Sequence, residues 1–262
     1  MFYYLQLLYQ YFKLGVLGEL EYRSNFFIQI LEAVLTFAVS LGGLFVIFSH
    51  TDTLGGWLPD QLLAIVGVHM LLGGILRLVI SPSLNKFSDD VRTGHFDFIL
   101  IKPANAQFLA SVQTVEVWKL IDTALGFAVT LIAVLRLSVH VGVANTLLFA
   151  LLMFVGGVII YSFWIILAAL AFWIVRAENI FQLFYSLFVA GRWPITIYPS
   201  WLRAVLTFIV PIAFAVTVPA QGLIGQLSTA NIIFSLLLAG SLFVFSSWFF
   251  HIGIRNYSGA SA

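Results

Sequence analysis

Residues 86–107, which read KFSDDVRTGHFDFILIKPANAQ, form a polar island between two strongly apolar stretches. The charged residues of the island are Lys86, Asp89, Asp90, Arg92, Asp97 and Lys102. Arg77 adds one more charge a short way upstream. Because only 9% of the 262 residues are charged, the chain has few places where a soluble partner could bind, and this island is the clearest of them.

The composition of the whole chain indicates an integral membrane protein. Hydrophobic residues make up 61% of it, with 26 Phe, 9 Tyr and 7 Trp, and the mean hydropathy is +1.06. There is too little polar surface to cover a soluble globule. The net charge of +1 gives no argument for a nucleic-acid partner, and the absence of cysteine excludes disulfides and zinc–thiolate sites.

The apolar runs predict six transmembrane helices, since one crossing needs about 20 apolar residues. We place them at 26–48, 61–80, 113–135, after a short loop near 140–145, 179–192 and 230–252. Residues 1–25 mix apolar and polar side chains. They predict an interfacial helix that lies along the membrane surface, and a simple extension of the first span is the alternative.

Four of the seven prolines fall shortly before the last predicted span. They are Pro194, Pro199, Pro211 and Pro219. Proline removes a backbone donor and breaks helices, and broken backbone at membrane depth is tolerated where protein or a cavity shelters it. We therefore predict that 195–228 is a re-entrant helical segment that dips into the membrane from one side. The alternative, a proline-kinked crossing at 201–218, would make seven spans.

Lysine and arginine near the span ends predict the orientation, because they are enriched in cytoplasmic loops. With the N-terminus inside, the inner segments hold Lys13, Arg23, Arg77, Lys86, Arg92, Lys102, Arg176 and Arg255. The outer segments hold Arg136, Arg192 and Arg203. Both termini and the polar island are therefore expected in the cytoplasm.

The sequence offers no recognisable catalytic or metal-binding motif. It lacks G-x-x-x-x-G-K-[ST], H-E-x-x-H and G-x-S-x-G, which argues against ATP binding, zinc chemistry and a serine hydrolase in this chain. The ionisable residues within or near the spans are Glu32, His69, Glu116, Lys119 and Asp122. We expect the last three to neutralise one another at i, i+3 spacing, with a proton relay as the alternative. His69 is expected to be a packing residue, and Glu32 to find a partner on another subunit.

Three stretches carry a resemblance to a known family. One is Glu21-Tyr22-Arg23-Ser24-Asn25-Phe26, where Glu21, Arg23 and Asn25 mark the point at which the chain enters the membrane. The second is Val91 to Pro103, which is similar to the pattern G-x-[LF]-D-x-x-L-x-K-P, and the third contains Pro199, Pro211 and Pro219. The chain resembles the permease subunits of ABC-2 type exporters, in particular compact permeases of this length.

The resemblance implies that a short cytoplasmic coupling helix sits in a groove of a separate ATPase. The residues expected to dock are Asp89, Asp90, Arg92, Gly94, Phe96, Asp97, Lys102 and Pro103. We predict a helix that starts near Ser88, with Asp89 and Asp90 in its first turn, and ends at Gly94. Phe96, Phe98, Ile99 and Ile101 are expected to give an apolar surface on a strand-like run that Pro103 stops.

The fold expected from these observations is a single all-α membrane domain covering 1–262. It has an interfacial helix at 1–25, six spans, a cytoplasmic coupling loop at 81–107 between spans two and three, and a re-entrant segment at 195–228. The resemblance further implies that the re-entrant segment caps the outer mouth of a substrate path lined by spans two and five.

The function implied is that of a non-catalytic permease subunit of an ATP-driven exporter in the inner (plasma) membrane. No cofactor is expected in this chain, and ATP and Mg are expected on the partner ATPase. A second copy or a homologous permease would complete a dimer among membrane lipids. The apolar character of the expected path favours a lipid-like or amphipathic substrate. An ion-coupled secondary transporter or channel, or a membrane scaffold without transport, remain the alternatives.

Overall fold

The computed structural model describes residues 2–21, 23–137, 143–174 and 178–258, with the backbone alone at 20, 21, 23–26, 178 and 179. All regular elements within these ranges are helical. They are α1 (Phe2–Glu21), α2 (Arg23–Phe48), α3 (Pro59–Ile75), α4 (Ser81–Thr93), α5 (Asp97–Leu100), α6 (Ala106–Val112), α7 (Leu120–Arg136), α8 (Val143–Ala169), α9 (Glu178–Ala190), α10 (Ser200–Ala204), α11 (Val218–Leu223) and α12 (Thr229–Asn256). Single π or 3-10 turns occupy Leu76–Ile80, Val117–Lys119, Leu170–Phe172, Ile195–Ile197, Val205–Ile209 and Ala213–Thr217.

Among the described residues, five helices are long and apolar enough to cross a membrane, or six if one bent pair counts as a span. The five are Phe27–Phe48, Pro59–Thr93, Val117–Arg136, Val143–Phe172 and Thr229–Asn256. The predicted multi-pass, all-helical architecture is therefore confirmed. The third span begins at Val117 and not at 113, because residues 113–116 leave the helical conformation.

The helix in the region predicted to form the fifth span is shorter than expected. The described helix α9 has 13 residues, which corresponds to about 20 Å at 1.5 Å per residue. The hydrocarbon core of a bilayer is about 30 Å thick. The prediction of a full crossing at 179–192 is therefore not met by α9 alone.

The helix that contains span two differs most from its prediction, because the helix does not end near Ile80. Helices α3 and α4, joined by the π turn Leu76–Ile80, form one helical run of 35 residues from Pro59 to Thr93. At 1.5 Å per residue the run is about 52 Å long, so it exceeds the hydrocarbon core by about 20 Å. We call it the long helix.

The long helix continues through Pro82 because the backbone carbonyl that this proline leaves without a partner accepts a hydrogen bond from elsewhere in the chain. Proline has no N–H, so the carbonyl four residues earlier, that of Leu78, loses its helical partner. The backbone N–H of Glu116 donates to Leu78 O at 2.8 Å. Next to it, Ser83 Oγ donates to Thr114 O at 2.8 Å and accepts from Thr114 N at 3.0 Å. The non-helical residues 113–116 therefore supply hydrogen-bond partners to the turn of the long helix that Pro82 disturbs.

The N-terminal helix α1 packs against the same break. The backbone N–H of Asn105 donates to Tyr4 Oη at 3.4 Å, and the Tyr4 ring meets the Phe108 ring edge-on at 4.9 Å. A Cβ on Gly15 would lie 2.8 Å from Val115 O. Helix α1 is not among the five candidate spans, and its predicted place along the membrane surface stays a prediction.

Helices α3 and α7 approach each other at glycine. A Cβ on Gly67 or Gly74 would lie within 3 Å of the backbone of Thr130 or Thr123, respectively. A Cβ on Gly126 would lie 2.5 Å from the backbone nitrogen of Leu71. Small residues that let two backbones touch are the usual basis of helix association in lipid, so this contact fixes spans two and three against each other.

The proline-rich segment forms two short helical pieces. Ser200–Ile209 and Ala213–Leu223 meet at an angle of 78°, with Pro211 in the break and Pro199 and Pro219 beside the starts of α10 and α11. The predicted helix breaking at 195–228 is confirmed. By length, the bent pair fits either one broken span, as in the alternative of a proline-kinked crossing at 201–218, or a re-entrant segment, so re-entry stays a prediction.

Candidate functional site

The loop between the long helix and span three begins at Gly94, as predicted. Gly94 adopts a left-handed conformation with φ of 80°, which glycine accommodates without strain. The backbone N–H of Phe96 then donates to Asp90 O at 3.0 Å, and α5 follows at once. Asn105 closes the loop as the N-cap of α6, because its side chain accepts from the backbone N–H of Phe108 at 3.0 Å.

Two local predictions for this loop are wrong. The helix does not begin near Ser88, so Asp89 and Asp90 lie near its C-terminal end and the helix dipole does not favour them there. Nearby cations offset the two charges instead: Arg92 binds Asp89 at 2.9 Å and Lys86 binds Asp90 at 3.2 Å. The run before Pro103 is also not strand-like, because α5 makes it helical.

The inner face of the loop is held on an aromatic cluster. Phe96 is fully buried and meets Phe87, Tyr257 and Phe172 edge-on at 5.1, 5.3 and 5.6 Å between ring centroids. Ile99 is also buried. Phe96 was expected among the docking residues, and this expectation is wrong because no partner can reach a buried ring. Its role is to anchor the loop.

Asp97 and Asp90 also face this inner side. Burial, and then the negative charges of Asp97 and Asp90, raise the pKa of the Tyr257 hydroxyl above its ordinary value. The side chain of Asp90 is almost buried, so Asp90 is a poor candidate for a direct docking contact. These two carboxylates lie where the end of α12 meets the loop.

The outer face of the loop is exposed and apolar. Phe98 is 63% exposed and Ile101 is 79% exposed, and Leu100, Lys102 and Pro103 are exposed beside them. We call these five residues the docking patch. Of the residues expected to dock, Asp89, Arg92, Lys102 and Pro103 are exposed, whereas Phe98 and Ile101 supply the apolar area. At helical spacing, Phe96 and Ile99 lie on one face and Phe98 and Ile101 on another. The strand-like interpretation missed this signal in the sequence.

The ionisable residues near the spans pair differently from the prediction. Lys119 Nζ lies 3.2 Å from Glu32 Oε2, and Arg77 lies 3.5 Å from Asp122 Oδ2. Glu32 therefore has a partner within its own chain, and the expected partner on another subunit is not needed. Lys119 and Asp122 thus form their ion pairs with residues of other helices and not with each other, as the prediction of neutralisation among Glu116, Lys119 and Asp122 had it.

His69 is a packing residue, as predicted. It is buried, its Nε2–H donates to Phe188 O at 3.0 Å, and its ring stacks on the Phe188 ring at 4.6 Å. The histidine joins the long helix to α9. Because these contacts account for the buried side chain, we infer no role for it in proton transfer.

Glu116 is the ionisable group for which the structure predicts a measurable pH effect. Burial, together with the carboxylates of Glu19 and Glu32, raises the pKa of Glu116, and Lys119 offsets part of this rise. The folded chain then binds the proton more tightly than the unfolded chain. Stability should therefore fall as pH rises from about 4.5 through the raised pKa. Glu116→Gln, which cannot ionise, should raise Tm at pH 8 by about 2–4 °C.

Thermal unfolding of the detergent-purified protein at pH 5 and pH 8 tests this effect. Asp52→Asn is the matched control, because it makes the same change from carboxylate to amide at an exposed position. A Glu116→Gln variant that is less stable than the parent at pH 8 would contradict the argument.

A polar cavity lies between the π turn of the long helix and the helices α8 and α9. Its volume is about 520 Å³. Its lining includes Arg77, Ser81, Asn85, Trp164, Gln182 and Tyr185. Pockets that bind small molecules have volumes of about 300–1,000 Å³, and π turns are frequent at functional sites. The cavity lies on the spans that were expected to line a path.

The remaining predicted residues fall partly outside the described side chains. Glu21 ends α1, and Arg23 and Asn25 lie in α2, but their side chains are outside the part of the chain that the structure describes. Arg176, used to predict the orientation, also lies outside the described residues. Their predicted roles stay predictions.

Comparison with known protein families agrees with this architecture. The family model described as ABC-2 family transporter protein matches residues 33–261, which covers most of the chain. The chain therefore belongs to the ABC-2 family of transporter proteins, and with its apolar helices it is a multi-pass membrane protein. Members of this family are generally non-catalytic membrane subunits and normally work with an ATP-binding subunit. No curated protein and no solved structure matches the chain.

Proposed function

We propose that this chain is the membrane subunit of an ATP-driven exporter and that the docking patch binds the ATP-binding subunit. The observation that carries the proposal is the exposure of Phe98 and Ile101 on a loop whose other face is anchored. Aromatic and aliphatic side chains in the centre of an interface supply most of its binding energy. An apolar patch kept in water needs such a partner.

Two charged residues complete the proposed interface. Arg92 and Lys102 are exposed on either side of the apolar residues, where cations can pair with carboxylates of the partner. Such charges at a rim act mainly on the rate and specificity of association. ATP and Mg belong to the partner in this proposal, and the present chain contributes no catalytic group.

The long helix supports a route from the patch to the membrane. The docking patch follows directly on the end of this helix, and the cavity around Arg77 lies at its π turn. We infer that movement of the patch reaches this cavity through the helix. The cavity would be half of a substrate path completed by a second copy or by a homologous permease, and the bent pair at 200–223 would close its outer end.

The polarity and size of the cavity bear on the substrate. Aromatic side chains stand beside Arg77 and the amide of Gln182 in its wall, a combination that suits an amphipathic molecule. In this proposal both termini and the docking patch lie in the cytoplasm, and the protein resides in the plasma membrane. A secondary transporter is less well supported, because four of the charges near the spans pair with one another, Arg77 with Asp122 and Lys119 with Glu32.

Affinity purification of the tagged chain from its own membranes tests the proposal. Mass spectrometry should find a subunit with a Walker motif at a stoichiometric amount, and a co-purified homologous permease would identify a heterodimer. ATP hydrolysis by the complex should rise with transported substrate. Recovery of the intact chain without any ATP-binding subunit would contradict the proposal and move the scaffold or secondary-transporter alternatives ahead.

A further inference from the structure

Helices α2, α3 and α7 leave a groove at the end of the bundle opposite the docking patch. Its volume is about 420 Å³, within the range of about 300–1,000 Å³ typical of ligand sites. The groove contains the C-terminal part of α2, the start of α3 and the C-terminal part of α7. It is therefore separate from the polar cavity at the π turn and from the loop.

One wall of the groove is a continuous apolar stripe. The residues of α2 that line it are Phe37, Leu41, Leu44, Phe45 and Phe48, which recur at the spacing of one helical face. The stripe covers eleven steps along the helix, or about 16 Å at 1.5 Å per residue. This is close to half of the hydrocarbon core of about 30 Å, so the groove has the length of one membrane leaflet.

The opposite wall is apolar along its depth and becomes charged at its mouth. Leu63, Val129 and Ile132 continue the apolar lining. At the end of the bundle, Arg136 Nη1 lies 3.7 Å from Asp60 Oδ1, with the two side chains 65% and 41% exposed. The distance is long for a charge-assisted hydrogen bond, and both groups keep exposed area for another partner.

We propose that this groove binds a membrane phospholipid with an ethanolamine headgroup. The acyl chain fills the apolar stripe, the phosphate accepts hydrogen bonds from Arg136, and the ammonium donates to Asp60. The paired opposite charges at the mouth match a zwitterion in which both ends can hydrogen-bond. A choline headgroup has no N–H to donate, and a glycerol headgroup has no cation to set against Asp60. The assignment does not rest on the proposed transport function.

Native mass spectrometry of the purified full chain tests the headgroup preference. The protein is mixed with equal amounts of phosphatidylethanolamine, phosphatidylcholine and phosphatidylglycerol that carry identical acyl chains. One exposed charged contact is worth at most about 1 kcal/mol, or about fivefold in affinity, so ethanolamine adducts should exceed choline adducts by about that factor. Equal retention of the three lipids would overturn the proposal.

Variants at the mouth of the groove locate the preference. Asp60→Asn should reduce the ethanolamine adduct to the level of the choline adduct, whereas Arg136→Gln, which removes the phosphate contact, should reduce the adducts of all three lipids. Arg203→Gln is the matched control: Arg203 binds Thr196 O, and Thr196 Oγ1 donates to Gly55 O at 3.3 Å near the start of α3. The variant Arg203→Gln thus removes an arginine that lies at the same end of the bundle but outside the groove. A preference for ethanolamine that survives in Asp60→Asn, or adducts that Arg136→Gln leaves unchanged, would contradict the assignment.

Photo-crosslinking identifies what lies in the groove. Phe45 lines the groove and is 78% exposed, so p-benzoylphenylalanine at position 45 should be tolerated. In vesicles that contain phosphatidylethanolamine, the expected product is a lipid adduct that decreases in the Asp60→Asn background. A crosslink to a second copy of the chain, or the lack of a lipid adduct, would overturn the proposal. Neither readout uses an ATP-binding subunit, so its failure is separate from failure of the proposed function.

Discussion

Replacement of Phe98 and Ile101 by aspartate together is expected to reduce the ATP-binding subunit recovered with the chain by at least tenfold. If the docking patch binds an apolar groove of the partner, two unpaired carboxylates must be buried there. The desolvation cost is several kcal/mol, and tenfold corresponds to about 1.4 kcal/mol. Both side chains are exposed, so the folded chain should keep its stability. Co-purification followed by quantitative mass spectrometry measures the loss.

Asn105→Asp provides the matched control in the same loop. It adds negative charge but keeps the N-cap of α6, since asparagine and aspartate cap helices about equally well. The variant should keep most of the ATP-binding subunit. Phe96→Ala makes the complementary change, because it removes the buried anchor and should lower Tm. If the Phe98 and Ile101 variant kept the subunit at the level of the parent, the patch would not be the docking surface.

Gly126→Val is expected to abolish recovery of folded protein. A Cβ at this position would lie 2.5 Å from the backbone nitrogen of Leu71 and 2.8 Å from the carbonyl carbon of Met70. Main-chain atoms cannot move aside as a flexible side chain can, so α3 and α7 must separate. Overpacking typically costs about 1–3 kcal/mol and occasionally more, and a backbone clash belongs at the upper end. Size-exclusion chromatography of the solubilised protein and its Tm measure the effect.

Gly240→Val carries the same substitution where there is room for it. Gly240 lies in α12, and a Cβ there would meet nothing within 4 Å. Valine forms helices slightly better than glycine, so recovery and Tm should remain close to those of the parent. If Gly126→Val were recovered as well as Gly240→Val, close contact between the two backbones would not be what holds spans two and three together.

The sequence predicted the features that depend on local chemistry. Charge-free runs located the apolar helices, and Gly94 was predicted to end its helix because glycine tolerates a left-handed conformation. Prolines 199, 211 and 219 were predicted to break the helices near them; Pro199 and Pro211 lie at breaks, whereas Pro219 lies within the continuous helical piece Ala213–Leu223. Each of these rules needs only a few neighbouring residues, which explains why they worked in the other cases.

The features that failed depend on contacts between distant residues. Span two was predicted to end near Ile80, but the N–H of Glu116 satisfies the carbonyl of Leu78 that Pro82 leaves free, and the helix continues. Lys119 lies close to Glu116 in sequence, yet it binds Glu32 on another helix. No local pattern reveals such partners. The buried position of Phe96 likewise depends on Tyr257 and Phe172, which approach from other parts of the chain.

The unbroken helix from Pro59 to Thr93 has a mechanical consequence. It touches the neighbouring backbone at Gly74, and the part from there to Thr93 is about 28 Å long at 1.5 Å per residue. That part also carries the contacts of Leu78 with Glu116 and of Ser83 with Thr114. A push of about 5 Å on the end of this lever, the pitch of one helical turn, tilts it by about 10°. If the docking patch binds the ATP-binding subunit as proposed, a stiff lever that pivots at Gly74 would turn a push on the end near Thr93 into rotation at the level of the cavity.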